Sequence, residues 1–291
     1  MSNLRSESET TRPRDAHADA GLTASPDAPL ILSLDTATEV RSVAVVRGAR
    51  VLACTRGRVL RENSARVLHD VEEALTASGV KLAEVELFAA ATGPGSFTGL
   101  RSGLATVKAF ASTLNRRVVG VPTLHAIAYA CGAAARVVAC LPAGRGELFA
   151  QLLSVDDAGA VRELSAPSHL SPSALFEKAA NWGGDLKWAG TGAHAQAGAL
   201  REFAVEKGIR WRDGEAQGTV ESGAEDEVSA VESDAGGEVS WTLAPPSESY
   251  AEEIAALGLM SYHKGDTSAA EDLQALYVRL SDAELNERCR A

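Results

Sequence analysis

Short apolar runs alternate with amphipathic stretches along most of the chain. Residues 30–35 (LILSLD) are nearly all apolar, and β-branched alternation resumes at Val43 and Val45 in RSVAVVR. Arg47, Gly48 and Ala49 supply turn chemistry and VLACTRGR continues the extended pattern, so these segments predict a three-strand meander. A helix is expected over residues 64–78. Asn63 or Ser64 can cap it, Val67, Leu68, Val71 and Leu75 share one face, and Gly79 ends it. Residues 86–92 (ELFAAAT) read as a buried strand that runs into a glycine-rich turn. The next helix spans about 100–114, with Leu100, Leu104, Val107, Ala111 and Leu114 on one side. A strand at 117–121 follows, and Pro122 opens a further helix.

A meander followed by crossover units predicts a mixed sheet covered by helices. A second set of signals starts at Arg136: RVVACLP, ELFAQLLSV, a turn and VREL. Helical patterns follow at 171–180 and 193–207, with a short strand at 186–190 between them. Residues 249–264 return to helical spacing, and LQALYVRL reads as a last strand or extended segment against the body. The reading is α/β in two lobes of similar size, residues 30–133 and 134–291.

Two segments fall outside this pattern. Residues 1–29 mix Ser, Thr, Asp, Ala and Pro with scattered arginines and read as a disordered tail, not a signal peptide. The net charge of -11 is concentrated elsewhere: residues 213–248 hold ten acids and no Lys or Arg. That stretch reads as a solvated, disordered acidic insert, with Trp241 and Leu243 as candidates for the point where the chain rejoins the fold. The rest is almost neutral, which leaves no broad basic face for holding nucleic acid unaided. No apolar run is long enough to span a membrane. Four cysteines without C-x-x-C spacing point to buried thiols in a reducing cytoplasm.

Candidate chemistry is sparse. Gly93, Gly95, Ser96 and Thr98 lie in GPGSFTGLR, a strand-to-helix turn that could bind phosphate at a helix start or simply pack two elements closely. It lacks the Gly-Lys-Ser/Thr of a Walker A loop. Asp35 and Thr36 end the first strand, where they could hold a hydrated metal and phosphate or cap their own turn. No two of the six histidines are four apart, so a metal-binding helical pair is missing, and no G-x-S-x-G occurs. The stripe of Leu100, Leu104, Val107 and Ala111 beside Gly103 suits either core packing or the close approach of another helix.

Taken together, LDTATEV-x-SVAVV, GPGSFTGLRSGLATVKAFA, VGVPTLHAIA, GELFAQL and ALYVRL resemble the TsaB (YeaZ) family. The resemblance runs over residues 30–203 and, more loosely, 250–280. It implies an actin/Hsp70-like (ASKHA) fold, two lobes each with a mixed sheet flanked by helices. It also implies a non-catalytic role in making threonylcarbamoyladenosine beside the tRNA anticodon. The partners implied are a TsaD-like transferase and a TsaE-like ATPase, with tRNA met only through the complex. By that resemblance the interface is carried by the helices at 64–78 and 100–114, with Leu68, Val71, Leu75, Leu100, Gly103, Leu104, Val107 and Ala111 as contact residues. The same helices would pair two copies when the partner is missing. No cofactor is required, although ATP or ADP with Mg at the complex interface stays open, with Asp35, Thr36, Gly93, Gly95, Ser96 and Thr98 as its candidate residues.

This chain departs from the family pattern at Asn63, Ser64 and Ala65, where His-Ser/Thr-Gln is common. It departs again at Pro142, Ala143 and Gly144, where Asp-Ala-Arg is common, and at the acidic insert. Competing readings on the same fold are an ATP-dependent, sugar-kinase-like phosphotransferase and a metal-free peptidase-like protein.

Overall fold

The computed structural model describes residues 9–10, 28–58, 65–213, 239–247 and 249–278. In chain order the first part comprises β1 (Glu9–Thr10), β2 (Leu30–Asp35), β3 (Val40–Arg47), β4 (Arg50–Arg58), α1 (Ala65–Ser78), β5 (Leu87–Gly93), α2 (Phe97–Leu114), β6 (Arg117–Pro122) and α3 (Thr123–Tyr129). The second comprises β7 (Ala134–Gly144), β8 (Glu147–Val155), β9 (Val161–Glu163), β10 (Ser168–Leu170), α4 (Pro172–Trp182), β11 (Leu186–Ala189), α5 (Thr191–Ala195), α6 (Ala197–Glu206), β12 (Arg210–Asp213), β13 (Ser240–Leu243) and α7 (Ala251–Lys264).

The first sheet has the order β1-β4-β3-β2-β5-β6. The predicted meander is present: β2, β3 and β4 pair antiparallel, with Leu30 opposite Arg47 and Asp35 opposite Ser42. β5 and β6 then add in parallel through helical crossovers. The second sheet repeats this plan. β7 and β8 form a long hairpin, β9 and β10 pair along β8, and β11, β13 and β12 extend the sheet in parallel from β7.

Strand periodicity sorts the side chains into three cores. Leu32, Leu34, Val43, Val45, Phe88 and Ala90 face α1 and α2, while Ile31, Ala44, Leu87, Ala89 and Ala91 face inward. There they meet α3, α7 and the near face of the second sheet, including Val137, Ala139, Leu141 and Leu153. The far face of that sheet, including Val138, Cys140, Ala150 and Trp188, packs under α4, α5 and α6. The result is five layers: helices, sheet, helices, sheet, helices. Both faces of each sheet are buried, which is why LILSLD and ELFAAAT show no clean polar alternation.

The structure corrects several expectations. The lobe boundary falls as β7 begins, but residues 134–291 do not stay in the second lobe. α7 lies on the first sheet: Ser33 Oγ donates to the Ala251 carbonyl (2.6 Å), the Ala251 N–H donates to Ser42 Oγ (3.2 Å), and Gly258 lets the helix approach Ala89. Beyond it, a bridge between Ser268 and Val118 and the burial of Ala270 and Leu273 carry the chain along α2. The apolar face of α7 needs a cover, and the inner face of the first sheet is the surface available to it.

The acidic insert is also shorter at its ends than 213–248. Asp213 closes β12, and β13 is an inner strand whose Trp241 is 1% exposed and packs on Trp188 and Phe203. Trp241 and Leu243 do mark where the chain rejoins the fold; the acidic residues between β12 and β13, at 215–238, lie outside the described residues. The helix expected at 193–207 breaks into α5 and α6 at Gln196. β10 and β12 were not legible in the pattern. Within the expected tail, Glu9 and Thr10 form a strand on β4. The caps Asn63 and Ser64 lie outside the described residues.

Candidate partner-binding surface and glycine turn

The glycine turn and the end of β2 come together, but they fill each other's space. The Ser96 N–H donates to the Ala37 carbonyl (2.8 Å), and a Cβ added at Gly95 would sit 2.4 Å from that same oxygen. A Cβ at Gly99 would lie 1.9 Å from the Thr36 carbonyl, and one at Gly103 would lie 2.1 Å from Thr36 Oγ1. Leu276 covers the other side: its N–H donates to the Thr92 carbonyl (2.7 Å) and its own carbonyl blocks a Cβ at Gly93. Ser96 is the helix cap, its Oγ accepting from the Gly99 N–H.

Asp35 is equally committed. Its Oδ1 accepts from the Ala37 and Thr38 N–H groups, at 2.9 and 3.3 Å, and its Oδ2 accepts from Thr38 Oγ1 at 2.6 Å. Full burial raises its pKa, against the lowering effect of these hydrogen bonds. Of the six residues expected at a nucleotide phosphate and Mg, Asp35, Thr36, Gly93, Gly95 and Ser96 are thus used in packing and turn geometry, while Thr98 is exposed on α2. The close-packing reading of the turn accounts for its glycines.

The expected contact stripe is corrected in the same way. Val71, Leu100, Leu104, Val107 and Ala111 are buried in the chain's own core, and Gly103 is buried against Thr36. Leu75 is partly buried, and only Leu68, 52% exposed, stands out from the surface. The outward face of α2 is a different set: the small residues Thr98, Ser102, Ala105, Ala109, Ser112 and Thr113, all exposed or partly exposed, flanked by Arg101 and Lys108. Thr113 Oγ1 folds back onto the Ala109 carbonyl and the neighbouring Thr106 Oγ1 onto the Ser102 carbonyl, so these hydroxyls need no outside partner. Sequence reading missed this face because it followed the large apolar residues. The signal was present as small residues at helical spacing on the opposite side.

Between α1 and α2 lies an open groove of about 520 Å³, lined by Leu68, Val71, Leu75, Val80, Leu82 and Phe110, with Glu72 and Lys81 at its rim. Its lining is mainly apolar, and the smooth face of α2 borders it. α1 is held in place from beneath by Arg41, whose Nε donates to Asp70 Oδ2; both residues are buried, and Thr55 Oγ1 also donates to the Asp70 carbonyl.

A cluster of titratable groups sits where α7 meets the first sheet. Arg56 donates to Ser249 Oγ and Glu252 Oε1, at 2.7 and 3.1 Å. Glu253 Oε2 is buried without a hydrogen-bond partner among the described residues. Burial, with the charges of Glu252 and Asp35, pushes the Glu253 pKa up to about 8. Burial also raises the Cys54 thiol to about 12, so it is no nucleophile at neutral pH. Among the described residues no three His, Cys, Asp or Glu side chains converge as a metal site, and no helix is long and apolar enough to cross a membrane.

Comparison with known proteins agrees with this architecture. Residues 58–181 match the family model of TsaD, tRNA N6-adenosine threonylcarbamoyltransferase. The tRNA threonylcarbamoyladenosine biosynthesis protein TsaB of Escherichia coli (strain K12) is 32% identical over 192 residues, 64% of this chain and 79% of the relative. The protein of the same name from Haemophilus influenzae is 34% identical over 123 residues, 41% of this chain and 51% of the relative. The solved structure of YeaZ from Pseudomonas aeruginosa aligns with a TM-score of 0.61 at 26% identity, covering 86% of this chain and 99% of that one. With the duplicated meander-and-crossover sheets, these likenesses give the actin/Hsp70-like fold.

Proposed function

The chain belongs to the TsaB (YeaZ) family of tRNA threonylcarbamoyladenosine biosynthesis proteins, and from that premise we propose that it is a non-catalytic subunit that docks onto a TsaD-like transferase. The observation that carries this reading is the α1–α2 surface: an apolar groove with exposed Leu68, beside a helix face made of small residues. Small side chains let a second helix approach to backbone-limited distance, and the groove accepts the ridge of larger residues that such a helix carries. A partner that itself presents two helices would bury both features at once. The same surface would pair two copies of this chain when the transferase is absent, because a contiguous apolar face favours cover.

In this reading the chain steadies the transferase and helps to recruit a TsaE-like ATPase, and tRNA is met through the complex in the cytoplasm. The phosphotransferase alternative has less support, since Asp35 is already committed to Ala37 and Thr38, and the glycine turn is packed against Thr36 and Ala37.

The test is size-exclusion chromatography with light scattering of this protein mixed with the TsaD-like protein of its own organism. Wild type should give a stable heterodimer. Leu68→Glu and Ala109→Glu, both at exposed positions, should stay folded by circular dichroism and lose the complex. A folded wild type that forms no complex would defeat the docking reading, and turnover of ATP and sugar by the isolated chain would establish its rival.

A further inference from the structure

α2 opens on an exposed aromatic pair that neither the core nor the glycine turn uses. Phe97 and Tyr277 are 41% and 52% exposed, and their ring centroids lie 5.7 Å apart. Tyr277 is carried there by its neighbour Leu276, whose N–H is tied to the Thr92 carbonyl near the end of β5. The Arg101 guanidinium lies over the Phe97 ring, 3.9 Å from its centroid. Arg101 is exposed, and among the described residues it has no ion pair or hydrogen bond. It precedes Ala105 by four residues, about one helical turn, so it continues the outward face of α2 toward the helix start. Arg101 and Lys108 are the charged residues of α2, and its first turn holds no acid. Lys108 Nζ donates to the Glu271 carbonyl (3.3 Å), which leaves Arg101 as the uncommitted cation of this helix.

We propose that Arg101, seated on Phe97, is a carboxylate anchor: the start of α2 takes an Asp or Glu side chain of the docked transferase through the free edge of the guanidinium. The proposal rests on the docking reading above and adds the chemistry of the partner's contact. A guanidinium held against a ring keeps its N–H donors at the periphery, and two of them match the oxygens of one carboxylate. Contact with Phe97 restrains the long side chain beforehand, so less rotamer freedom is lost on binding. The positive pole of α2 attracts the same anion. Arginine and aromatic side chains are also the types that carry most of the energy at interfaces. The anchor selects as well as holds. A partner that set an apolar or basic ridge here would bury the guanidinium unpaired, which costs affinity.

The experiment is isothermal titration calorimetry of the full chain with the TsaD-like protein of its own organism. Wild type is compared with Arg101→Met, Arg101→Lys and Phe97→Ala, all at exposed positions, with circular dichroism to confirm that each is folded. Arg101→Met should weaken binding about 10- to 100-fold. Arg101→Lys should recover little of that loss, because an ammonium lacks the planar fork. Phe97→Ala, which keeps the charge but removes its seat, should cost about three- to tenfold. Raising the salt from about 0.05 to 0.5 M should weaken wild type more than Arg101→Met. Arg101→Met that binds within about twofold of wild type would overturn the proposal, as would Arg101→Lys that binds as tightly as wild type. Either result, with wild type bound and Leu68→Glu unbound, leaves the docking reading standing. A wild type that does not bind defeats both.

Discussion

Gly103 of α2 faces Thr36 so closely that a methyl group at Gly103 would lie 2.1 Å from Thr36 Oγ1 and 3.1 Å from its Cβ. The pair sets how deeply α2 beds against the end of β2. Gly103→Ala should therefore cost about 1–3 kcal/mol through overpacking, measured by urea unfolding. In a Thr36→Ala background the cost should shrink, because the hydroxyl and methyl that clash are gone. Equal costs in both backgrounds would mean that the contact does not explain the glycine.

Position on α2 should separate stability from docking. Val107 is fully buried against the first sheet, so Val107→Glu places a charge in the core and should unfold the chain or leave it grossly destabilised. Ala109, two residues on, is exposed, and Ala109→Glu should shift the melting temperature little. Thermal melts of the two variants give the answer directly; a well-folded Val107→Glu protein would contradict the packing described above.

Arg41 and Asp70 form a buried ion pair under α1. Asp70→Ala should cost about 3–5 kcal/mol, because the guanidinium is left without its counter-charge. Arg41→Met combined with Asp70→Leu should recover most of that loss, since buried pairs replaced by apolar residues of similar volume are often neutral. Denaturant midpoints of the single and double variants test this, and a double variant as weak as the single one would assign the pair a larger role than charge balance.

Stability should also fall as the solution turns alkaline. Glu253 has its pKa raised in the folded chain from 4.5 to about 8, chiefly by burial. A raised folded-state pKa means that the native state holds its proton more tightly than the unfolded chain. The contribution is therefore complete below pH 4.5 and is lost progressively as pH rises from there through about 8. Asp35 is shifted in the same direction, again by burial. Glu253→Gln keeps the shape without the titration and should reduce the loss between pH 5 and pH 9 by about 1–3 kcal/mol. A wild-type and variant pair with parallel pH–stability curves would show that Glu253 is not the group responsible.

Local pattern determined much of this protein. The meander, the two helices that follow, a second set of strand and helix signals from Arg136 and the motif string GPGSFTGLR were legible, because strand and helix periods and turn residues act over a few neighbours. The family, and with it the two-lobed fold, followed from those strings.

What only the tertiary structure decided was which face of each element is left outside. Leu104 and Val107 have the spacing of a contact stripe, and so would any core stripe; the sheet beneath them made the choice, and the exposed side fell to Ala105 and Ala109. The glycines of the turn are compatible with a phosphate or with a neighbouring backbone, and the Thr36–Ala37 segment took that space. α7 and the residues after it read as part of the second lobe, yet they cross back because the inner face of the first sheet needs cover. Trp241 sits in a region whose composition suggests solvent, and burial against Trp188 and Phe203 makes it an inner strand. Each of these outcomes depends on residues far apart in the chain competing for one volume, which no local window of sequence contains.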